Sequence, residues 1–155
     1  MIFEQLIESL KKGSGIERTQ AATDLGKLKD KRAYDALIEA LGDPNMAVRS
    51  NTAFSLGELG IAGAVPNLIK ILKDPEERVR KSAAKALGML CASEAILPLS
   101  QALNDTSYRV RKSAARSLGQ IGGPKALHAL ERAASDPDMI VATEAKEAIE
   151  KIRNR

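Results

Sequence analysis

DPNMAVRSNTAFSLGELGIAGAVPNLIKILK, residues 43–73, is the stretch from which the fold follows. Its landmarks recur at one fixed distance to either side. Asp43 is followed by Asp74, Asp105 and Asp136, each 31 residues beyond the last. Val48 leads to Val79, Val110 and Val141, and Arg49 stands between Arg18 and Arg80, with Arg111 beyond. Ala22, Ala53, Ala84 and Ala115 make another column. Leu25, Leu56, Leu87 and Leu118 precede Gly26, Gly57, Gly88 and Gly119, and Leu37, Leu68, Leu99 and Leu130 come after them. No insertion or deletion breaks the register from about residue 13 onward. A constant period of this length marks stacked repeats, each burying its apolar face only against its neighbours.

Each unit reads as two helices. Asp-Pro at 43–44, 74–75 and 136–137 predicts a helix start, with Asp capping free N–H groups and Pro at the first helical position. Glu77, three residues after Asp74, adds a capping-box-like acid. Val48, Ala53, Leu56 and Leu59 follow at helical spacing. The helix is expected to end near Gly60 or Gly122, where a left-handed residue costs least as glycine; Cys91 fills that place in the third unit. A short second helix is predicted over 64–73, with Val65, Leu68, Ile69 and Leu72 inward. Gly26, Gly57, Gly88 and Gly119 sit inside the last turn of the first helix, where Gly costs about 1 kcal/mol relative to Ala. Their recurrence predicts a close crossing with the second helix. Ile2, Phe3, Leu6 and Leu10 match the second-helix columns, whereas 137–153 match the first helix alone. The reading is all-α: one domain over 1–155, with a half-unit 1–12, units 13–42, 43–73, 74–104 and 105–135, and a closing half-unit 136–155.

Composition narrows the function. The chain is 44% hydrophobic but only 3% aromatic, so the core is Ala and Leu. Net charge is +4, and the fourth unit alone, with six basic and two acidic residues, accounts for that excess. No apolar run of about 20 residues predicts a membrane span. The N-terminal residues lack a basic region followed by an apolar stretch and a small-residue cleavage site, so no signal peptide is expected. One cysteine, Cys91, cannot form an internal disulfide, and a cytoplasmic location is expected.

The pattern Asp43-Pro44, Val48-Arg49, Ala53, Leu56-Gly57, Leu59-Gly60, Ala64, Leu68 resembles the HEAT-like repeat of the phycobilisome-lyase type, found in archaeal and bacterial α-solenoids and in artificial consensus-repeat binders. The resemblance covers nearly the whole chain. It implies a right-handed α-solenoid, an α-α superhelix with armadillo-like stacking, whose second helices line a concave face. It does not fix function, because such a fold hosts many. Members include bilin-lyase subunits, protein scaffolds, a DNA glycosylase branch and an iron-dependent hydroxylase branch.

Catalytic chemistry finds little footing. The hydroxylase branch uses repeated His-Glu pairs; this chain has one histidine, His128, followed by Ala129. One His and one Cys do not make a set of three or four metal ligands. Cys91 lies between Leu90 and Ala92 with no His nearby in sequence, and reads as a small buried residue. The glycines fall one per repeat at helix ends, so no phosphate-binding loop is present. No cofactor, metal or catalytic residue is expected, and the chain reads as a non-enzyme.

Binding is the better expectation. Arg78, Arg80, Lys81 and Lys85 lie on one first helix and Arg109, Arg111, Lys112 and Arg116 on the next, a basic convex stripe that offers a nucleic-acid alternative. Two Tyr, two Phe and no Trp leave little for base stacking, which weighs against it. The Asp and Arg columns predict a structural ladder: Arg18–Asp43, Arg49–Asp74, Arg80–Asp105 and Arg111–Asp136, the one register that leaves no member unpaired. On the second helices, Glu4, Glu8, Asp35, Glu39, Asn67, Lys70, Gln101, His128 and Arg132 fall outside the packing columns. They are expected to line a concave groove running from acidic to basic, and to bind a partner protein or peptide. An accessory subunit of a bilin-lyase-like enzyme is the alternative that the resemblance implies. Ile2, Phe3, Leu6, Ile7 and Leu10 give the N-terminal helix a wide apolar face, and a weak homodimer through it is expected.

Overall fold

Small and branched apolar residues at helical spacing give helices and nothing else. The computed structural model describes residues 2–155; Met1, which opens the half-unit 1–12, lies outside them. Among the described residues there are ten α-helices and no strand. Five are first helices: α2 (Gly15–Leu28), α4 (Met46–Leu59), α6 (Glu77–Met89), α8 (Tyr108–Ile121) and α10 (Met139–Arg153). Five are second helices: α1 (Ile2–Lys12), α3 (Tyr34–Ala40), α5 (Val65–Ile71), α7 (Ile96–Ala102) and α9 (Gly123–Ala133). A 3-10 turn leads into α3, α5 and α7. Ahead of α9 the turn is replaced by Gly122 and Gly123, both at positive φ, and Pro124 follows in the first turn of the longer helix.

The helix starts differ from the sequence expectation. The first helices begin two residues after each Asp-Pro pair, with caps Asn45, Glu76 and Asp138, and α8 follows Asp105-Thr106 in the same way with cap Ser107. Asn45 and Asp138 accept helix N–H groups with their side chains. The aspartates instead accept two residues earlier: Asp43 Oδ1 takes the Asn45 N–H at 2.8 Å, and Asp74 Oδ1 takes the Glu76 N–H at 2.9 Å. Each Asp thus closes a turn before the helix, with Pro setting φ inside it. Glu77 is the first helical residue of α6 and closes no box. The capping box lies in α2, where Ser14 Oγ accepts from the Glu17 N–H and Glu17 Oε2 accepts from the Ser14 N–H.

The core is a continuous stack. Leu25, Leu56, Leu87 and Leu118 from first helices meet Leu37, Leu68, Leu99 and Leu130 from second helices, all fully buried, with Val48, Val79, Val110 and Val141. Burying each such side chain contributes about 1.5–3 kcal/mol relative to exposure. The recurring glycines mark a crossing, though not with the second helix. A Cβ on Gly57 would stand 2.8 Å from the Ala86 Cα, and one on Gly119 would stand 2.7 Å from the Ala148 Cβ. Gly26 and Gly88 are likewise blocked by Ser55 and Ser117. Each glycine therefore seats the next first helix. Where serine faces it, the hydroxyl donates back to a main-chain carbonyl: Ser55 to Ala22 at 2.7 Å, and Ser117 to Ala84 at 2.6 Å. Gly60 adopts left-handed φ, +72°, at the end of α4. Cys91 takes the same region at φ +49° and is exposed, not buried, because its position lies just past the helix end.

Candidate functional site

Three surfaces carry side chains that the core does not use. The first is the edge where the units join. Arg18, Arg49, Arg80 and Arg111 each reach the aspartate of the following unit. Nε donates to Oδ2 at 2.7, 2.9, 2.8 and 2.9 Å respectively. Nη2 donates to Oδ1 of the same carboxylate at 2.9, 3.2, 3.0 and 3.3 Å. These are two-pronged pairs, the geometry that favours Arg over Lys. The remaining Nη1 holds its own unit: it donates to the main-chain carbonyls of Gly13, Asp43, Asp74 and Asp105. Each guanidinium thus ties two units through three bonds or more. The pairs are shielded, with side-chain exposures of 15% for Arg49 and 7% for Asp74. Burial pushes the Asp43 carboxyl up, but Arg18 and the Asn45 N–H outweigh it and hold it below the ordinary 3.8. The hydrogen bond to Asp74 raises the Arg49 guanidinium above its usual value.

The second surface is the face of the second helices. Glu4, Glu8, Asp35, Glu39, Lys70, Gln101, His128 and Arg132 are exposed there, and Asn67 is half-buried. The acidic end is partly neutralised. Lys12 pairs with Glu8 at 2.9 Å, and Arg32, which also holds Asp30, lies 3.7 Å from Glu4. Asp35 and Glu39 are in no ion pair among the described residues. At the other end an open groove of about 490 Å³ runs between α7 and α9. Leu97, 69% exposed, and Ile96 supply apolar surface, Lys125 and Arg132 supply cations, and Glu94 and the His128 imidazole also line it. Ala129 is buried in its floor rather than presented to solvent. Sequence reasoning omitted Lys125, whereas the period itself sets Leu97 outside the packing columns.

The third surface is the opposite face, formed by first helices. The basic stripe is thinned there. Arg80 and Arg111 belong to the ladder, Arg116 is held two-pronged by Glu144 at 2.8 and 3.0 Å, and Arg109 lies 3.8 Å from Glu77. Phe54 is 39% exposed beside it. At the N-terminal end, Phe3 is half-buried with the Arg32 guanidinium 4.3 Å above its ring, and Leu6 and Ile7 pack against the core. The uncovered apolar face of α1 is therefore narrower than its spacing predicts. No group of three or more His, Cys, Asp or Glu among the described residues is arranged to hold a metal. No helix among them is long and apolar enough to cross a membrane.

Paired helices stacked through a glycine seam and a charged ladder define an α-solenoid. HEAT repeats match residues 3–74 and 65–150. The chain belongs to the HEAT repeat family. Among solved structures it is similar to the complex of CpcE and CpcF of phycocyanin lyase from Nostoc sp. PCC7120, with 30% identity and a TM-score of 0.87. That match covers 99% of this chain, which spans 65% of the other's length. YibA of E. coli matches at 22% identity and TM-score 0.76, over 98% of this chain and 59% of that one. A designed armadillo repeat protein in complex with the peptide (KR)4 matches at 24% identity and TM-score 0.74, over 95% and 80% of the two chains. The last two show the fold alone. No curated protein matches the chain.

Proposed function

We propose that the chain is a non-enzymatic scaffold that binds a partner protein or peptide along the face of its second helices. The observation that carries this reading is the groove between α7 and α9, where exposed Leu97 lies beside the cations Lys125 and Arg132 and the His128 imidazole. An apolar contact bordered by charge is how peptide grooves divide affinity from orientation. Further along, Lys70 and Asn67 continue the face, and Asp35 and Glu39 reverse its charge. A bound segment would therefore lie in one polarity, acidic groups at α9 and basic groups at α3. Capture of the partner from source cells tests this. Glu39→Lys and Arg132→Glu each slow its association, and Lys146→Glu on exposed α10 leaves it unchanged. Wild-type association rates in both groove variants overturn the reading.

A second reading has its own support. The 30% identity and TM-score of 0.87 to a chain of the phycocyanin lyase complex favour an accessory lyase subunit that works in complex with a second protein. In that case the captured partner is the other lyase subunit, and the pair, mixed with free bilin, alters the visible absorbance. Neither outcome is expected of a scaffold with an unrelated client.

A further inference from the structure

The first-helix face carries a binding surface that the second-helix reading does not use. Two open clefts lie side by side on it. One, of about 310 Å³, passes Phe54 and reaches α2, α4 and α6; the other, of about 280 Å³, lies along α6 and α8 beside Tyr108 and Ile140. Lys81 and Lys85 line both. The 31-residue period places Lys112 next to Lys81 and Arg116 next to Lys85, so four cations form a two-by-two lattice on adjacent helices. Arg116 is neutralised by Glu144. Lys81, Lys85 and Lys112 are in no ion pair among the described residues. Like charges one helical turn apart repel and weaken the helix that carries them. Burial, and then Lys81, Arg116 and Lys112, push the Lys85 ammonium below its ordinary value. Three of the four lattice cations thus have no carboxylate partner among the described residues.

We infer that the paired clefts dock an acidic segment of a partner protein, with its carboxylates on Lys81, Lys85 and Lys112 and an apolar side chain beside Phe54. Charge complementarity selects the acid. The apolar contacts at the two edges, Phe54 at 39% and Ile140 at 49% exposure, select a peptide over a bare polyanion. A nucleic acid fits less well. Glu58 lines the Phe54 cleft and Glu144 holds Arg116, so a continuous phosphate track would run against carboxylates. The Tyr108 ring is covered by the Arg109 guanidinium, 4.8 Å from its centroid, which removes a platform for base stacking.

The probe is a short fluorescein-labelled peptide of alternating glutamate and leucine, titrated with the full chain and read by anisotropy. A lysine–leucine peptide and a short DNA duplex are titrated alongside. The glutamate peptide binds, salt weakens it, and the Lys81→Gln/Lys85→Gln double variant binds roughly tenfold more weakly or worse. Lys146→Gln, exposed on α10 and lining neither cleft, binds it as the wild type does, which separates the lattice from a general effect of positive charge. The double variant melts no lower than the wild type, because it removes repulsion, so loss of binding cannot be ascribed to unfolding. No binding of the glutamate peptide, or unchanged affinity in the double variant, overturns the inference. So does tighter binding of the duplex that the double variant abolishes, which would assign the patch to nucleic acid.

Discussion

The carboxylate of Asp43 accepts both prongs of Arg18 and the Asn45 N–H, while its main-chain carbonyl accepts from Arg49. Its pKa is held below the ordinary 3.8, so the folded state favours the charged form. That contribution is complete above the unfolded value and disappears as pH falls through the lower folded one. Acid titration of the unfolding midpoint should therefore fall less steeply in Asp43→Asn than in the wild type. One rung higher, Arg49→Ala should cost about 1–3 kcal/mol, because a desolvated Asp74 is left with its charge and no cation. Lys146→Ala, an exposed control, should stay within about 0.5 kcal/mol. Equal urea midpoints for the two would remove the ladder from the account of stability. Thr52 makes the opposite case. It is fully buried in a column otherwise made of Ala21, Ala83, Ala114 and Ala145, and its hydroxyl has no partner. Thr52→Val keeps the shape and removes the stranded group, so stability should rise by about 1 kcal/mol.

Between elements, the decisive contacts are those of consecutive first helices. Adding a methyl to Gly57 gains about 1 kcal/mol of helix propensity. It also drives a carbon to 2.8 Å from the Ala86 backbone, which cannot swing away. Overpacking of this kind costs about 1–3 kcal/mol, so the clash wins. Gly57→Ala should lower the melting temperature, and a rise would mean that α4 and α6 can slide apart freely. The glycine column announces itself in the sequence, but its partner does not. Ser55, Ala86, Ser117 and Ala148 are small residues among many, and only the stack shows that they face the glycines. The period and its apolar columns were enough for the all-α solenoid, since every landmark recurs four times. The helix starts were not. Asp-Pro has one reading as a cap and another as a preceding turn, and two residues of offset separate them. The ladder's main-chain acceptors were equally hidden, because a carbonyl has no letter. On the second-helix face, exposure of the charged positions follows from the period, whereas the neutralisation of Glu8 by Lys12 depends on rotamers.

For the molecule as a whole, the two ends and the two faces differ. Ile2, Ile16 and Leu28, at 63, 85 and 44% exposure, leave the N-terminal end of the stack apolar. Sedimentation at rising concentration should show weak self-association that Ile16→Glu reduces. Ile7, packed against the core, is the wrong place to probe it. A strict monomer at every concentration would leave those side chains as plain surface. The ladder has a mechanical consequence. Its rungs follow one another along the chain, each spanning the gap between two units and none skipping a neighbour. Pulled by its termini, such a stack has no single clasp whose rupture frees everything. It should peel unit by unit. Each event would release 31 residues, at most about 100–110 Å of extended chain. Substituting Arg80 with alanine would lower the force of the events on either side of that seam and leave their length unchanged. The protein would behave under tension as a row of equal, separately yielding springs.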